Sequence, residues 1–353
     1  MNYIGSKFRL LDFLETSIKK VVGDKPTTFC DAFAGTGTVG AHFKKKGYTV
    51  ISNDIQYYSF VLIRHFIENN TDFEFNGLKN IVPSIADKTF KESIFQYLNE
   101  LPLTEGFIFQ NYSTGGTQNQ EFERIYFSDE NAKICDTIRM KLESWKVNND
   151  INEDEYFYLL SCLIEATDKK ANTASVYGAF LKKLKKTANE KIILKPLEII
   201  TSDKKNIVYN EDINNLLPTI NTSILYLDPP YNTRVYGDNY HILETIARYD
   251  NPKIKGKTGN RVEKVKSDYS SKREVKRAFT DLISKANAEY IFVSYNNEGL
   301  LTHKEIKDIM STRGEYGVFE KDYQRFKADK TEKRNHKATK TTEFLHYVKV
   351  KNK

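Results

Sequence analysis

The sequence predicts an α/β fold with a mostly parallel sheet and a mainly helical insertion. Three observations lead to this prediction: a strand–turn–helix–strand opening, a long stretch without that alternation, and the return of alternation near Lys205. A strand, a crossover helix and a second strand pack as a parallel pair. We therefore expect the sheet domain to comprise residues 1–58 and 205–353, with residues 59–204 as the insertion.

The opening unit is marked by glycines between apolar runs. Pro26–Phe33 is predicted as a turn and a buried strand, which ends at the glycines of Ala34–Gly37. Val39–Lys46 has the composition of a short helix, and Tyr48–Ser52 is predicted as a second strand. This order of elements is a βαβ unit, so a parallel sheet follows.

The insertion has a different character from the sheet domain. Ser59–Asn69 and Glu153–Thr167 carry apolar residues at helical spacing. Tyr112–Gln120 is polar and contains glycine, which predicts a loop. The insertion is therefore expected to be mainly helical.

After Lys205, short strands and helices alternate again. The predicted strands are Asn206–Tyr209, Ser223–Leu227 and Glu289–Ser294, and the predicted helices are Tyr240–Arg248 and Lys304–Arg313. Tyr316–Phe319 and Phe344–Val350 are predicted to pair as an antiparallel hairpin that closes the sheet.

The composition favours a globular protein with an anionic partner. Hydrophobic residues make up 39% of the chain, which excludes wholesale disorder. No apolar run reaches the roughly 18 residues of a membrane helix, and the N-terminus lacks a secretory signal, so we expect a cytoplasmic protein. Three cysteines at wide spacing predict neither disulfides nor a metal site. The net charge is +7, and Lys253–Arg277 alone carries ten Lys/Arg against three acids, a surplus of the same size.

The first chemical motif is a glycine-rich turn between a strand and a helix. Gly35 and Gly37 allow the backbone to turn tightly and to approach a ligand. Asp54, about 20 residues further on, follows the next strand, where an acid can accept hydrogen bonds from both ribose hydroxyls. Alone, the turn could be a plain connection and Asp54 a solvated strand end. Together they predict a nucleoside-containing cofactor.

The second motif is Asp228-Pro229-Pro230-Tyr231, which follows an apolar strand. Two prolines fix the backbone and leave the Pro229 carbonyl without a competing amide hydrogen. Asp228 and that carbonyl can accept both hydrogens of an aromatic amine while Tyr231 stacks on the ring. Accepting both hydrogens makes the nitrogen lone pair available for attack. A rigid turn that merely ends a strand is the competing interpretation.

These motifs and their order resemble the Dam-type, alpha-group adenine-specific DNA methyltransferases. The resemblance is carried by Asn2-Tyr-Ile-Gly-Ser-Lys7, Phe33–Gly37, Asn53-Asp54 and Asp228–Tyr231. The extended run Asp-Pro-Pro-Tyr-Asn-Thr-Arg, with Asn239-Tyr-His-Ile-Leu-Glu after it, resembles a subset that includes type IIS modification enzymes. The resemblance implies a Rossmann-like S-adenosylmethionine-dependent methyltransferase sheet, and it implies that the insertion is a target-recognition domain.

The resemblance also assigns the cofactor residues by position. Those that match the family's S-adenosylmethionine site are Tyr3, Gly5, Lys7, Asp31, Phe33, Gly35, Gly37, Asp54 and Asp212. Tyr3, Gly5 and Lys7 would enclose the methionine end, and Asp54 would bind the ribose. Asp212 would lie near the adenine of the cofactor, although Glu211 could take that role and Asp212 could equally be a helix N-cap before Ile213. The reaction needs no metal, and none is expected.

The implied substrate is an adenine flipped out of double-stranded DNA. Asn232 and Arg234, directly after the catalytic turn, are expected near the flipped nucleotide. Lys257 and Arg261 are expected to contact backbone phosphates, although their segment could be a solvated loop. Gly256-Lys-Thr lacks the upstream glycine of a nucleotide-binding P-loop, so an NTP site is rejected.

Within the insertion, Tyr177 and Lys182 could reach DNA, but core packing is the favoured interpretation of Tyr177. Trp145 is expected in the core. The alternatives to adenine methylation are a methyltransferase for RNA or cytosine N4, and a DNA-binding protein without catalysis. The intact Asp228 turn argues against the last alternative. A separately encoded cognate restriction endonuclease would fit the resemblance as a functional partner.

Overall fold

The structure, a computed structural model, describes residues 5–23, 27–233, 236–324 and 340–351. The strands are β1 (Thr28–Asp31), β2 (Thr49–Asn53), β3 (Ile207–Tyr209), β4 (Asn221–Leu227), β5 (Ile254–Lys255), β6 (Asn260–Arg261), β7 (Asn287–Asn296), β8 (Gly314–Gln324) and β9 (Lys340–Val350).

The α-helices are α1 (Leu11–Val22), α2 (Thr38–Lys45), α3 (Tyr57–Ile63), α4 (Phe90–Asn99), α5 (Phe107–Tyr112), α6 (Thr114–Thr117), α7 (Asp129–Val147), α8 (Glu153–Lys170), α9 (Lys186–Asn189), α10 (Ile213–Leu216), α11 (Tyr236–Asn239), α12 (His241–Arg248), α13 (Val275–Lys285) and α14 (His303–Ser311). A π-helical turn, Arg64–Glu68, continues α3. Short 3₁₀ turns occupy Phe8–Leu10, Asn76–Leu78, Leu217–Thr219 and Asp268–Ser270.

Seven strands form one sheet in the order β3-β2-β1-β4-β7-β9-β8. The first five are parallel, and β9 runs antiparallel to both β7 and β8. This confirms the predicted parallel sheet with its closing antiparallel hairpin. The strand order reverses between β1 and β4, and ligands of open α/β sheets bind outside the carboxyl ends of strands at such a switch point.

Helices cover both faces of the sheet because the buried strands are apolar on both sides. Alternation along β4 sends Ile224 and Tyr226 to one face, and Leu225 and Leu227 to the other. The first face packs against α1, α2 and α3, through residues such as Leu14, Phe43 and Ile63. The second packs against α10, α13 and α14, through residues such as Leu216, Leu282 and Met310.

The chain divides into two compact units. Within the described residues, the sheet unit comprises 5–70, 200–233 and 265–351, and the helical unit comprises 71–199 and 236–264. These units differ from the predicted domains in three places: residues 59–70, 200–204 and 236–264. Residues 59–70 belong to the sheet unit because α3 and the turn after it pack on β2 and β3. Residues 236–264 belong to the helical unit, where the buried Arg139 donates hydrogen bonds to the Ile246 and Ala247 carbonyls.

Most predicted elements are present, with ends shifted by a few residues. The predicted loop Tyr112–Gln120 is wrong, because this segment holds the end of α5 and all of α6. The Ser113 side chain accepts a hydrogen bond from Gly116 N at 3.1 Å and caps α6. Trp145 is buried, as expected. In the described part of the chain, no helix is both long enough and apolar enough to cross a membrane.

Candidate active site

The glycine-rich turn lies between β1 and α2, at the carboxyl edge of the sheet. Gly35 and Gly37 both have left-handed backbones, with φ of 53° and 77°. A Cβ on Gly37 would lie 3.1 Å from Ile63 Cγ2, so this position is also crowded. The backbone N–H of Gly35 donates to Asp54 Oδ2 at 2.8 Å. Asp54, which directly follows β2, therefore holds the turn, and its other oxygen accepts from Gln56 N at 2.9 Å.

Asp31 is a buried carboxylate at the end of β1, and only 1% of its surface is exposed. Its Oδ2 accepts a hydrogen bond from Gly40 N at 3.1 Å, near the start of α2. Its Oδ1 is buried and has no hydrogen-bond partner among the described residues. Burial, and then the negative charge of Asp228, raise the pKa of Asp31 to about 8. A cationic or N–H-donating ligand would give Oδ1 a partner and would favour the ionised form of Asp31.

Asp228 follows β4, the strand beside β1, and its side chain is 16% exposed. Burial raises the pKa of Asp228 to about 6, against the opposing effect of Lys7. The Asp228 carboxylate is thus ionised at neutral pH but poorly solvated. A poorly solvated carboxylate is a strong hydrogen-bond acceptor for a ligand.

Tyr231 is fixed by its backbone and by a neighbouring ring. Its carbonyl accepts a hydrogen bond from Leu300 N at 3.0 Å. Its ring meets Tyr295 edge-on, with the ring centroids 5.9 Å apart. Pro229 is buried and Pro230 half-buried, so the turn presents Asp228 and Tyr231 from a rigid backbone.

Lys7 brings the N-terminal motif into this site. Its Nζ lies 3.1 Å from Asp228 Oδ1, 3.8 Å from Glu343 Oε2 and 5.4 Å from the centroid of the Tyr231 ring. Burial by itself would lower the pKa of Lys7, but the charges of Asp228, Tyr231, Glu343 and Tyr226 together raise it well above its usual value. Lys7 is therefore a permanent buried cation beside the Asp228–Tyr231 turn.

Glu343 was not predicted from the sequence. It lies on β9, two strands away from β4, and is 6% exposed. The available signal was a carboxylate at the alternating position shared with Leu345 and Tyr347, which face the core. An acid on a core-facing row needs a buried partner.

The remaining predicted cofactor residues flank the carboxyl ends of β1 to β3. The Phe33 ring contacts Tyr269 edge-on, with the centroids 4.9 Å apart. Asp212 is exposed, and its side chain accepts from Asn214 N at 2.9 Å as the N-cap of α10, which is the alternative interpretation given above. Gly5 has φ of 83° in a turn before Lys7. Tyr3 and Arg234 lie outside the described residues.

Two predicted DNA contacts lie in the interior of the helical unit. Arg261 is only 7% exposed, and its guanidinium donates two hydrogen bonds to Asp250, at 2.8 and 2.5 Å. It is thus engaged in an internal ion pair, not presented to a phosphate as expected. Tyr177 is fully buried and its hydroxyl donates to Asp168 Oδ1 at 3.0 Å, in accord with core packing. Lys182 and Lys257 are exposed, and Asn232 is half-buried.

The sheet carries a glycine-rich turn, an acid after β2 and an Asp-Pro-Pro-Tyr turn at its switch point. This combination is typical of enzymes that act on amino groups with a nucleoside cofactor. A family model described as D12 class N6 adenine-specific DNA methyltransferase matches residues 3–309. The chain belongs to this family.

Similar proteins agree with this membership. The chain is 47% identical to Type II methyltransferase M.NlaIII from Neisseria lactamica, over 99% of each chain. It is 42% identical to Type II methyltransferase M.FokI from Planomicrobium okeanokoites, over 99% of this chain and 52% of that protein. It is 34% identical to Type II methyltransferase M.CviAII from Paramecium bursaria Chlorella virus 1, over 93% of each chain.

Proposed function

We propose that this protein transfers a methyl group from S-adenosylmethionine to N6 of an adenine flipped out of double-stranded DNA. It does so as the modification enzyme of a restriction–modification system, whose endonuclease is encoded separately. The observation that carries the proposal is the Asp228–Tyr231 turn, which stands beside the glycine-rich turn at the switch point of the sheet. The named relatives are type II modification enzymes, which supports the biological role.

The residues present fit S-adenosylmethionine. The left-handed Gly35 and Gly37 allow the tight turn by which the backbone would approach the cofactor. Asp54 follows β2, where it would bind the ribose hydroxyls, and the orphaned Asp31 Oδ1 would accept from the cationic methionine end. The cofactor would supply an electrophilic methyl group bonded to a sulfonium.

The protein's own residues would prepare the amino group. The carboxylate of Asp228 and the carbonyl of Pro229 accept its two hydrogens, and Tyr231 stacks on the base that has left the helix. N6 forms its bond to the methyl carbon while the carbon–sulfur bond breaks, and the electron pair of that bond stays on sulfur. N6 must then release one proton, and ionised Asp228 is the acceptor within reach. Most of the rate enhancement is positioning and electrostatics.

We assign target recognition to the helical unit, residues 71–199 and 236–264. Exposed lysines at positions 182 and 257 would contact phosphates, and Asn232 of the sheet unit would contact the flipped nucleotide. For Arg234 we keep the expectation from the sequence, which is a contact near the flipped nucleotide.

The test is methyl transfer from radiolabelled S-adenosylmethionine to duplex DNA by the Asp228→Ala variant. We expect loss of at least about a hundredfold in rate, because one acceptor of the amino hydrogens is removed. Binding of the cofactor should persist, which calorimetry would verify. Unreduced transfer to DNA by the variant would overturn the mechanism. Label in RNA or on cytosine, and not on adenine, would overturn the substrate.

A further inference from the structure

Glu343 is a carboxylate placed on the core-facing side of a strand. Along β9 it shares its face with Leu345, which is fully buried, and with Tyr347. Its Oε2 is buried and accepts no hydrogen bond within the described residues. A buried carboxylate oxygen without a hydrogen bond is costly unless a cation lies close by.

That cation is Lys7, which Glu343 shares with Asp228. Lys7 Nζ is 3.8 Å from Glu343 Oε2 and 3.1 Å from Asp228 Oδ1. β7 lies between β4 and β9 in the sheet, which separates the two acidic strands by roughly 10 Å. Lys7 thus bridges two carboxylates that come from different strands.

The charges do not balance within this cluster. One ammonium faces two carboxylates, so the cluster carries a net charge of −1 with all three groups ionised. Lys7 lies closer to Asp228 Oδ1, at 3.1 Å, than to Glu343 Oε2, at 3.8 Å. If Glu343 were neutral, Asp228 alone would hold the ammonium, and no second carboxylate would draw it away from Asp228.

We propose that Glu343 is a positioning residue for methyl transfer: it shares the ammonium of Lys7 with Asp228 and thereby limits how tightly Lys7 binds the carboxylate that accepts from the target amino group. This inference rests on the proposed function. It adds a residue that lies outside the motifs of the catalytic turn and the cofactor loop.

The groups that face this cluster fix the sign of the expected pH effects. Within the described residues they are Asp31, Tyr226 and Tyr231, besides the three members themselves. The negative charge of Glu343 raises the pKa of Asp228 and also that of Lys7. Removing this charge must therefore lower both pKa values.

The experiment is the Glu343→Gln variant, which keeps the shape of the side chain and removes its charge. Single-turnover methyl transfer is measured from pH 5 to 9. The acidic limb of the pH–rate profile reports the ionisation of Asp228. We expect this limb to move to lower pH by about half a unit or more, and the plateau rate to fall about tenfold. Glu343→Asp should restore part of the rate. Glu320→Gln, an exposed glutamate on neighbouring β8, is the matched control and should change neither.

A second measurement does not depend on activity. Acetylation of Lys7 by acetic anhydride at pH 9 is followed by mass spectrometry in the protein without ligands. We expect Lys7 to be protected in the wild type and to react at least about threefold faster in Glu343→Gln, with Glu343→Asp between the two because it keeps the charge. An unmoved acidic limb together with unchanged Lys7 labelling would overturn the inference. If the wild type transferred no methyl group, the proposed function would fail, and the labelling would still test the cluster.

Discussion

Asp228 shows how a single buried carboxylate ties function to stability. Its folded pKa of about 6 lies above its ordinary value of 3.8, because burial outweighs the attraction of Lys7. Folding therefore favours the protonated form of Asp228. Its contribution to stability is fully present below pH about 4 and is lost as the pH rises through about 6.

The Asp228→Asn variant should therefore be more stable than the wild type at pH 7. A shift of about two pKa units corresponds to about 3 kcal/mol, and we expect a gain of about 1–3 kcal/mol because Lys7 loses one partner. The measurement is urea unfolding at pH 7 and at pH 4. At pH 4 the gain should shrink toward zero, since the wild-type carboxylate is then protonated when folded.

A variant less stable than the wild type at pH 7 would show that the pair with Lys7 dominates over burial. Asp308→Asn serves as the control, because this carboxylate is exposed on α14 and pairs with Lys304 at the surface. Surface pairs contribute little, so its substitution should leave the free energy of unfolding nearly unchanged.

Single residues also show what a local sequence pattern can and cannot indicate. Asp54 and Asp228 were predicted because each follows a strand in a motif with a chemical meaning. Glu343 was not, because its partner Lys7 is more than 300 residues away in the chain and two other strands separate it from β1. Arg261 was predicted as a DNA contact, but its partner Asp250 gives no signal in the sequence that distinguishes an internal pair from a surface charge.

At the scale of elements, the β5–β6 hairpin forms the first part of the basic segment 253–277. Its turn is held from within the helical unit: Tyr112 donates to the Gly259 carbonyl at 2.8 Å and Arg124 to the Gly256 carbonyl at 3.2 Å. His241 Nε2 lies 2.9 Å from the Thr258 carbonyl oxygen. With these carbonyls bound, the hairpin is a fixed support for exposed Lys257 and not a mobile loop.

Lys257→Gln and Arg261→Gln should have different consequences. Lys257→Gln should weaken duplex binding and reduce the salt slope by about 0.9, the value for one phosphate contact. Arg261→Gln should instead lower the free energy of unfolding by about 1–3 kcal/mol, because Asp250 loses a bidentate partner. The measurements are fluorescence titration at several salt concentrations and urea unfolding.

Lys307→Gln on α14 is the control for charge alone, since this lysine is exposed in the sheet unit. An equal change of salt slope in the Lys257 and Lys307 variants would mean that the hairpin has no special role. Cofactor affinity should be unchanged in all three variants.

Other elements show why local patterns predict some structures and miss others. The β1–α2–β2 unit has apolar strands bounded by glycines, so its local and tertiary preferences agree. α5 and α6 lack an apolar stripe of useful length, and they form because Asp136 accepts from the backbone N–H groups of Gly106, Ile108 and Phe109. This anchor comes from α7 and could not be inferred from the segment itself.

At the scale of the molecule, the chain leaves the sheet unit and returns to it twice. The second excursion, residues 236–264, follows the catalytic turn directly and includes the β5–β6 hairpin. Only the first excursion was predicted from the sequence, because the second is short and its pattern indicates a helix followed by a basic loop. Its buried contacts with α5, α7 and α8 reassign it to the helical unit.

This division predicts separate footprints for the two ligands in hydrogen exchange. S-adenosylmethionine should slow exchange at residues 31–40 and 53–56 of the sheet unit and leave the helical unit unchanged, because the proposed cofactor residues that the structure describes lie in the sheet unit. Duplex DNA carrying the recognised site should slow exchange in the hairpin, residues 254–261, and elsewhere in the helical unit. It should also protect the Asp228–Tyr231 turn, where the flipped base is proposed to bind.

Random-sequence duplex is the control and should protect the hairpin far more than the turn, since phosphate contacts do not depend on sequence. Cofactor protection spread evenly over both units would contradict the assignment of cofactor binding to the sheet unit alone.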